Sequence, residues 1–142
     1  MPVHVVRLGS PRAEGEGLRL GTVRRPPRGV PKAEFSSRDF YDVWLPDLAP
    51  SDDLVKAGQA AGDDKAWKAF ARRYRSEMAT PAAARLLDLL AALSRQTSVA
   101  VGCYCADEDR CHRSVLRELL VERGADVAPG PTRRGSGPEG TG

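Results

Sequence analysis

Histidine and cysteine are scarce in this chain of 142 residues, which has two of the first and three of the second. Three cysteines are an odd number, and no basic N-terminal region leads into a long apolar run. We therefore expect reduced thiols in the cytoplasm rather than a disulfide scaffold. No apolar segment is long enough to cross a bilayer, so we expect no membrane association.

Lysine is also rare. Four of the 22 basic residues are lysines, which leaves 18 arginines. Arginine suits bidentate contact with carboxylate or phosphate groups, although a composition rich in arginine and alanine is also what GC-rich coding produces. The formal net charge is only +3, so the position of the cations matters more than their number.

Length and composition indicate one ordinary soluble domain, with 41% hydrophobic and 29% charged residues. We place this domain at residues 1–128. Residues 129–142 are rich in proline and glycine, lack large apolar side chains and are predicted to form a disordered tail. No sequence feature predicts the oligomeric state.

Apolar runs at 3–8, 18–23 and 98–104 predict strands, while residues 39–51 are predicted to be extended or irregular. A last short strand could begin at Ala125. Four helices complete the prediction. The first is predicted from Ser51 to Gly58, and the second begins at Asp63 or Asp64 and has Trp67, Phe70, Ala71, Tyr74 and Met78 on its apolar face. The third begins at Thr80 and Pro81 and has Leu86, Leu89, Leu90 and Leu93 on its buried face. The fourth runs from Cys111 to Gly124, with Val115, Leu116, Leu119 and Leu120 on one face.

A strand, loop and helix around residues 98–124 predict an α/β fold with a short, mainly parallel sheet flanked by helices. Ligands of such folds bind beyond the carboxyl ends of the strands. The stretch from Cys103 to His112 falls there, where a helix N-terminus favours anions.

Cys105, Cys111 and His112 are the candidate catalytic residues. A cysteine at a helix N-terminus beside histidine and arginine has a lowered pKa, which makes Cys111 a candidate nucleophile and Arg113 a candidate anion ligand. Helical geometry points His112 inward, where it could act as acid or base. The alternative is that Cys111 is simply a small buried apolar residue.

The same residues leave two other chemistries open. Cys103, Cys105, Cys111 and His112 could bind zinc, although two cysteines one residue apart on a strand do not have the usual knuckle spacing. Cys105 and Cys111 could instead form a redox pair. No cofactor is predicted otherwise.

A second cationic cluster, Arg24, Arg25, Arg28 and Lys32, lies in the proline-rich segment "RRPPRGVPK". Proline lowers the entropy cost of fixing such a loop around an oxyanion. A solvated turn is the alternative.

Four ordered blocks resemble domain-of-unknown-function family 488. "RRPPRGVPK", "YDVWLPDLAPSDDL" and "WKAFARRYRSEM" are similar to its YeaO-like branch, and "CYCADEDRCHRSVL" is similar to the cysteine and C-H-R block of its other branch. The resemblance covers about residues 3–125 and implies a small α/β domain. What the resemblance carries over is positional: the residues that match the family's motifs are Arg25, Arg28 and Gly29 in its loop, Asp42 and Trp44 in its D-x-W, Tyr74 and Glu77 in its helix, and Cys105, Cys111, His112 and Arg113 in its C-H-R block.

Two departures from the family pattern stand out. Cys103 is an additional cysteine, and Pro27 occupies a position where that branch usually has tryptophan. The resemblance carries over no established reaction.

Two function classes follow. The first is an enzyme, a cysteine-dependent transferase or hydrolase, acting on a small anionic ligand or a nucleic-acid end. Arg24, Arg25, Arg28, Gly29, Asp42, Trp44 and Arg113 would bind its substrate. The second is a binding module that uses the same arginines without chemistry.

Overall fold

The computed structural model describes residues 2–105, 108 and 111–129. Four parallel strands form one sheet in the order β1-β4-β2-β3. The strands are β1 (Val3–Arg7), β2 (Leu18–Gly21), β3 (Val43–Trp44) and β4 (Val99–Cys103). All of β4 is buried, as expected for a central parallel strand. The predicted α/β fold with a parallel sheet is therefore confirmed.

Four α-helices accompany the sheet in the described part of the chain. They are α1 (Asp52–Ala60), α2 (Asp64–Met78), α3 (Pro81–Leu93) and α4 (His112–Glu122). Ser51 and Asp63 cap α1 and α2, because their side-chain oxygens accept hydrogen bonds from the amides of Leu54 and Ala66. After α4, Gly124 adopts a φ of +78°, which supports its predicted role as the helix stop.

The predicted apolar faces of α2 and α4 are confirmed. Phe70, Tyr74 and Met78 are buried, with Trp67 packed against them. The four apolar residues of α4 are also buried in the main core with the strands. This packing fixes the positions of both helices relative to the sheet.

Three details of the prediction were wrong. Gly58 does not end α1, because the helix continues to Ala60. A Cβ at Gly58 would lie 2.7 Å from the Phe70 ring, so the glycine instead permits close helix packing. On α3, Leu89 is 53% exposed while Leu87 is fully buried, because the core face runs through Ala83, Leu87 and Leu90. After α4, Val127 makes only an isolated bridge to Val3.

An ion-pair network fixes the loops beside β2. It consists of Glu16, Arg19, Arg12 and Asp42. Arg19 is fully buried, and its Nε lies 2.8 Å from a Glu16 carboxylate oxygen. Its Nη2 also donates to Glu16, and its Nη1 donates to the carbonyls of Ser10 and Asp39. The side chain is therefore held at both ends of the guanidinium.

Within the described part of the chain, no helix is long and apolar enough to span a membrane. The predicted tail lies outside the described residues except for Pro129. The domain boundary at residue 128 stays a prediction.

Candidate functional site

Sulfur atoms from two elements meet at the carboxyl edge of the sheet. Cys103 is the last residue of β4, and Cys111 is the residue preceding α4. Their Sγ atoms are 2.7 Å apart, and each residue is 2% exposed. Cys105 follows β4 and is exposed. We call these three residues the thiol cluster.

The three thiols of the cluster shift one another's pKa values in opposite directions. Hydrogen bonds from Cys103 and then Cys111 lower the pKa of the Cys105 thiol far below its ordinary value. The pKa of Cys103 is raised by the same hydrogen bond, by Cys111 and by burial. For Cys111, the contact with Cys103 lowers the pKa, but the contact with Cys105 and burial outweigh it and raise it to about 11. Burial opposes a charge on Cys103 and Cys111, so exposed Cys105 is the thiol of the three that most readily carries a negative charge.

His112 lies behind the cluster rather than at the surface. Its Nε2 is 2.9 Å from the carbonyl oxygen of Thr22. A carbonyl only accepts hydrogen bonds, so Nε2 carries the proton and Nδ1 keeps its lone pair, 3.7 Å from the Cys111 sulfur. Burial lowers the pKa of His112 to about 4, which leaves the ring neutral at pH 7. The predicted inward orientation is confirmed.

Arg113 places a buried positive charge beside Cys105. The residue is 3% exposed, and one terminal nitrogen donates to the Cys105 carbonyl oxygen at 2.6 Å. Its Nε has no hydrogen-bond partner among the described residues. A buried guanidinium with unused hydrogen-bonding capacity suits a site that receives an anion.

Three of the four predicted metal ligands form a compact group. One ligand atom each of Cys103, Cys111 and His112 lies within 4.8 Å of the others, and all three residues are buried. The Nε2 hydrogen bond to Thr22 fixes the imidazole in the way that outer partners fix metal-binding histidines. Thiolate and imidazole suit zinc, so this group could hold a metal ion.

The proline-rich segment, residues 24–32, here called the arginine loop, contains cations in different environments. Arg24 donates to the carbonyls of Pro50 and Ala49, at 3.2 and 3.4 Å, so it anchors the loop. Arg25 is exposed and pairs with Asp52 at 3.3 Å. Gly29 takes a φ of +72° at the turn. For the side chains of Arg28 and Lys32, the described residues provide no hydrogen-bond or ion-pair partner.

Tyr104 joins the arginine loop to the thiol cluster. It lies between Cys103 and Cys105 in sequence, and its hydroxyl donates to the Arg25 carbonyl at 2.8 Å. The two predicted constellations are therefore neighbours. Sequence reasoning did not single out Tyr104 or Thr22. Their places just beyond β4 and β2 are the signal that would have found them, since ligands bind beyond strand ends.

A groove of about 430 Å³ opens beside the arginine loop. We call it the aromatic groove. Its lining residues are Pro26, Lys32, Ala33, Phe35, Ser36, Tyr41, Asp42 and Trp44. Two predicted substrate residues, Asp42 and Trp44, thus lie in this groove rather than in the thiol cluster.

Asp42 has its carboxylate occupied by neighbours. Arg12 donates to both of its oxygens at 2.9 and 3.0 Å, and the Arg19 amide and the Ser36 hydroxyl also donate to it. Burial would raise the pKa of Asp42, but these hydrogen bonds outweigh it and hold the pKa at about 2. Asp42 therefore belongs to the ion-pair network as well as to the groove wall.

The fold and the cluster define a small parallel α/β domain with a cysteine, histidine and arginine site at a strand end. The family model described as "Active DUF488-N3 subclade" matches residues 3–124. The chain belongs to this family, DUF488-N3a, and the resemblance to domain-of-unknown-function family 488 is confirmed. No curated protein and no solved structure matches the chain.

Proposed function

We propose that the protein is a cysteine-dependent enzyme that acts on an anionic, phosphate-bearing substrate, with Cys105 as its nucleophile. The observation that carries the proposal is the position of Cys105. Its thiol is exposed, the neighbouring thiols of Cys103 and Cys111 lower its pKa, and its carbonyl oxygen accepts a hydrogen bond from buried Arg113.

The neighbours of Cys105 define the chemistry. Its thiolate would bond to the electrophilic atom of the substrate while the leaving group departs with the bonding electrons; water or an acceptor hydroxyl would then break the link to sulfur. Cys111 would hold the thiolate by hydrogen bonding, and His112 would position Cys111 from behind. Cations at Arg25, Arg28 and Arg113 would attract the anionic group of the substrate.

The family description supports catalysis without naming a reaction, because the matching subclade is described as active. The sequence prediction offered both Cys105 and Cys111, but the lowered pKa predicted for Cys111 was wrong, because the lowering by Cys103 is outweighed by Cys105 and burial, which raise that pKa to about 11. A thiol that is 2% exposed, as Cys111 is, cannot meet a substrate unless the site opens.

Alkylation tests the nucleophile directly. Iodoacetamide should modify Cys105 first at pH 6, read out by intact mass and peptide mapping, because thiolates rather than thiols react. Inorganic phosphate should slow the reaction by competing for the arginines. Equal modification of Cys103 and Cys111, or no protection by phosphate, would contradict the proposal.

Turnover tests the enzyme class. A panel of phosphate esters would be screened for products by mass spectrometry with the wild-type chain and with Cys105→Ser. The proposal requires products that disappear in Cys105→Ser. Phosphate binding without turnover across the panel would instead favour the non-catalytic anion-binding module.

Zinc binding is the second candidate, favoured by the compact group of Cys103, Cys111 and His112. Native intact mass of protein purified without chelator tests it. A mass increase of one zinc that is lost in Cys111→Ser would support the metal role. A bare mass that stays unchanged after zinc addition would reject it.

A further inference from the structure

The aromatic groove has rigid walls that suit a flat ring. The rings of Phe35 and Tyr41 meet edge to face, with centroids 5.2 Å apart. Tyr41 is only 4% exposed and packs on Gly21, where a Cβ would lie 2.4 Å from its ring. The bare backbone of Gly21 is therefore what lets Tyr41 take this position.

Trp44 is the most exposed of the aromatic residues that line this groove. It is 45% exposed, although its indole nitrogen is fixed by a 2.7 Å hydrogen bond to the carbonyl of Val23. An indole held in one orientation with an accessible surface is a ready stacking platform for a planar ligand.

The charged side chains at the groove that have no ion-pair partner among the described residues are positive. The carboxylate of Asp42 is paired with Arg12 and accepts further hydrogen bonds, so it offers little repulsion to an anion. Lys32 lines the groove, and Arg28 lies between it and Pro26 in the chain. The groove thus combines aromatic walls with cations, and its volume falls within the range of small-molecule sites.

The groove and the thiol cluster have neighbouring residues in common. Pro26 lines it, and the preceding residue, Arg25, accepts the hydrogen bond from Tyr104 beside Cys105. Tyr41 and Phe35 pack in the same apolar cluster as Cys103 and Cys111. A ligand with a flat ring in the groove would therefore have its anionic end near the arginine loop and the thiol cluster.

We propose that the aromatic groove binds the base of a nucleoside phosphate, stacked on Trp44, with the phosphate held by Lys32 and Arg28. This inference rests on the proposed function and specifies its substrate class. A free nucleotide and the terminal nucleotide of a nucleic acid share this chemistry.

Calorimetric titration of the full chain with adenosine and uridine 5′-monophosphates tests the base. Ribose 5-phosphate serves as the matched ligand without a base. Stacking predicts that at least one nucleotide binds about tenfold or more tightly than ribose 5-phosphate. Equal affinities for all three ligands would overturn the proposal.

Variants of Trp44 locate the base. Trp44→Phe keeps a ring and should retain most of the affinity for the nucleotide, whereas Trp44→Leu should lose about tenfold. Circular dichroism and thermal melting show whether each variant is folded. Equal nucleotide affinity in folded Trp44→Leu and in the wild type would overturn the assignment.

Fluorescence supplies a readout that does not depend on a variant at the site. Trp67, which stacks on Phe70 in the core, is the other tryptophan of the chain. In Trp67→Phe the tryptophan emission comes from Trp44 alone. The nucleotide should quench this emission, while ribose 5-phosphate should not. Quenching by neither ligand would contradict stacking on Trp44.

Two further experiments test the phosphate contact of Lys32 and the source of the nucleotide. Lys32→Ala should weaken nucleotide and ribose 5-phosphate binding by similar factors, since both carry the phosphate. A single-stranded oligonucleotide with a 5′-phosphate, compared with the mononucleotide, shows whether a nucleic-acid end is preferred. Unchanged affinity in Lys32→Ala would overturn its phosphate role.

The inference and the proposed function can fail separately. Nucleotide titration reads the groove, whereas alkylation of the ligand-free protein reads Cys105. Selective alkylation without nucleotide binding would reject the groove assignment alone. Tight nucleotide binding with an unreactive Cys105 would reject the nucleophile and leave the groove as a binding site.

Discussion

The ion-pair network and the thiol cluster are both polar groups beside the same sheet, but they differ in how many of their hydrogen-bonding atoms have partners. In the network, the Arg19 guanidinium donates four hydrogen bonds, and the Asp42 carboxylate accepts from three residues. At the thiol cluster, Cys105 is exposed and Arg113 Nε has no partner among the described residues. Polar groups whose hydrogen bonds are all made are typical of structural residues, while unused hydrogen-bonding capacity at a strand end is typical of a binding or reacting site.

The largest expected effect lies in the network. Glu16→Ala leaves the fully buried Arg19 charge without its partner, which should lower the free energy of unfolding by about 3–5 kcal/mol. Urea denaturation at pH 7 measures the change. Glu14→Ala, an exposed neighbour, is the matched control and should change stability little. Similar losses in both variants would remove the contrast between buried and exposed acids.

Asp42→Asn tests the network through pH. The folded-state pKa of Asp42 is depressed from 3.8 to about 2, so its contribution is present above pH 4 and is lost as the pH falls toward 2. At pH 7 the variant should lose about 2 kcal/mol, an order-of-magnitude value for such a shift. The difference from the wild type should shrink between pH 4 and pH 2 in urea denaturation.

Asp88→Asn is the control for this pH series. Asp88 pairs with Arg123 but is 69% exposed, so solvent weakens the pair and Asp88→Asn should change the free energy of unfolding by less than about 1 kcal/mol. A constant difference between Asp42→Asn and the wild type across pH 2–4 would show that the ion pair is not the source of its stability.

Arg113→Met examines the thiol cluster. Removing the cation destabilises the Cys105 thiolate, so the pH midpoint of alkylation should rise by about one unit. Methionine leaves no unpaired charge in the protein, so the free energy of unfolding should fall less than in Glu16→Ala, where buried Arg19 loses its partner. A large stability loss with an unchanged alkylation midpoint would make Arg113 a structural residue.

The smallest effect is expected at an exposed ion pair. Arg75 lies 2.8 Å from Glu118 and 2.9 Å from Glu122, distances like that between Arg19 and Glu16. All three side chains are more than a third exposed, so Arg75→Ala should cost less than about 1 kcal/mol in urea denaturation. A cost equal to that of Glu16→Ala would show that distance rather than burial sets the energy.

Local signals predicted the helices well because their causes are local. Ser51 and Asp63 are caps that act on amides three residues away, and Phe70, Tyr74 and Met78 share a face by helical spacing alone. Leu89 was placed wrongly because spacing gives a stripe but not its centre. The sheet decides which leucines of α3 it covers.

The candidate site was predictable in part for the same reason. Cys103, Cys105, Cys111 and His112 are close in sequence, and a strand followed by a helix brings them together. Which thiol is exposed was not predictable, since it depends on the neighbours that cover Cys103 and Cys111. Thr22 is 90 residues from His112, and the sequence does not reveal that contact.

By itself the sequence determined the helix boundaries set by caps, the parallel α/β class, the family and the presence of a cysteine, histidine and arginine site. Tertiary structure alone decided the strand order, the burial of Arg19 against Glu16, the link from Tyr104 to Arg25 and the exposure of Cys105. The physical reason is range: caps and periodicity act over a few residues, whereas burial and long-range hydrogen bonds exist only after distant segments have packed together.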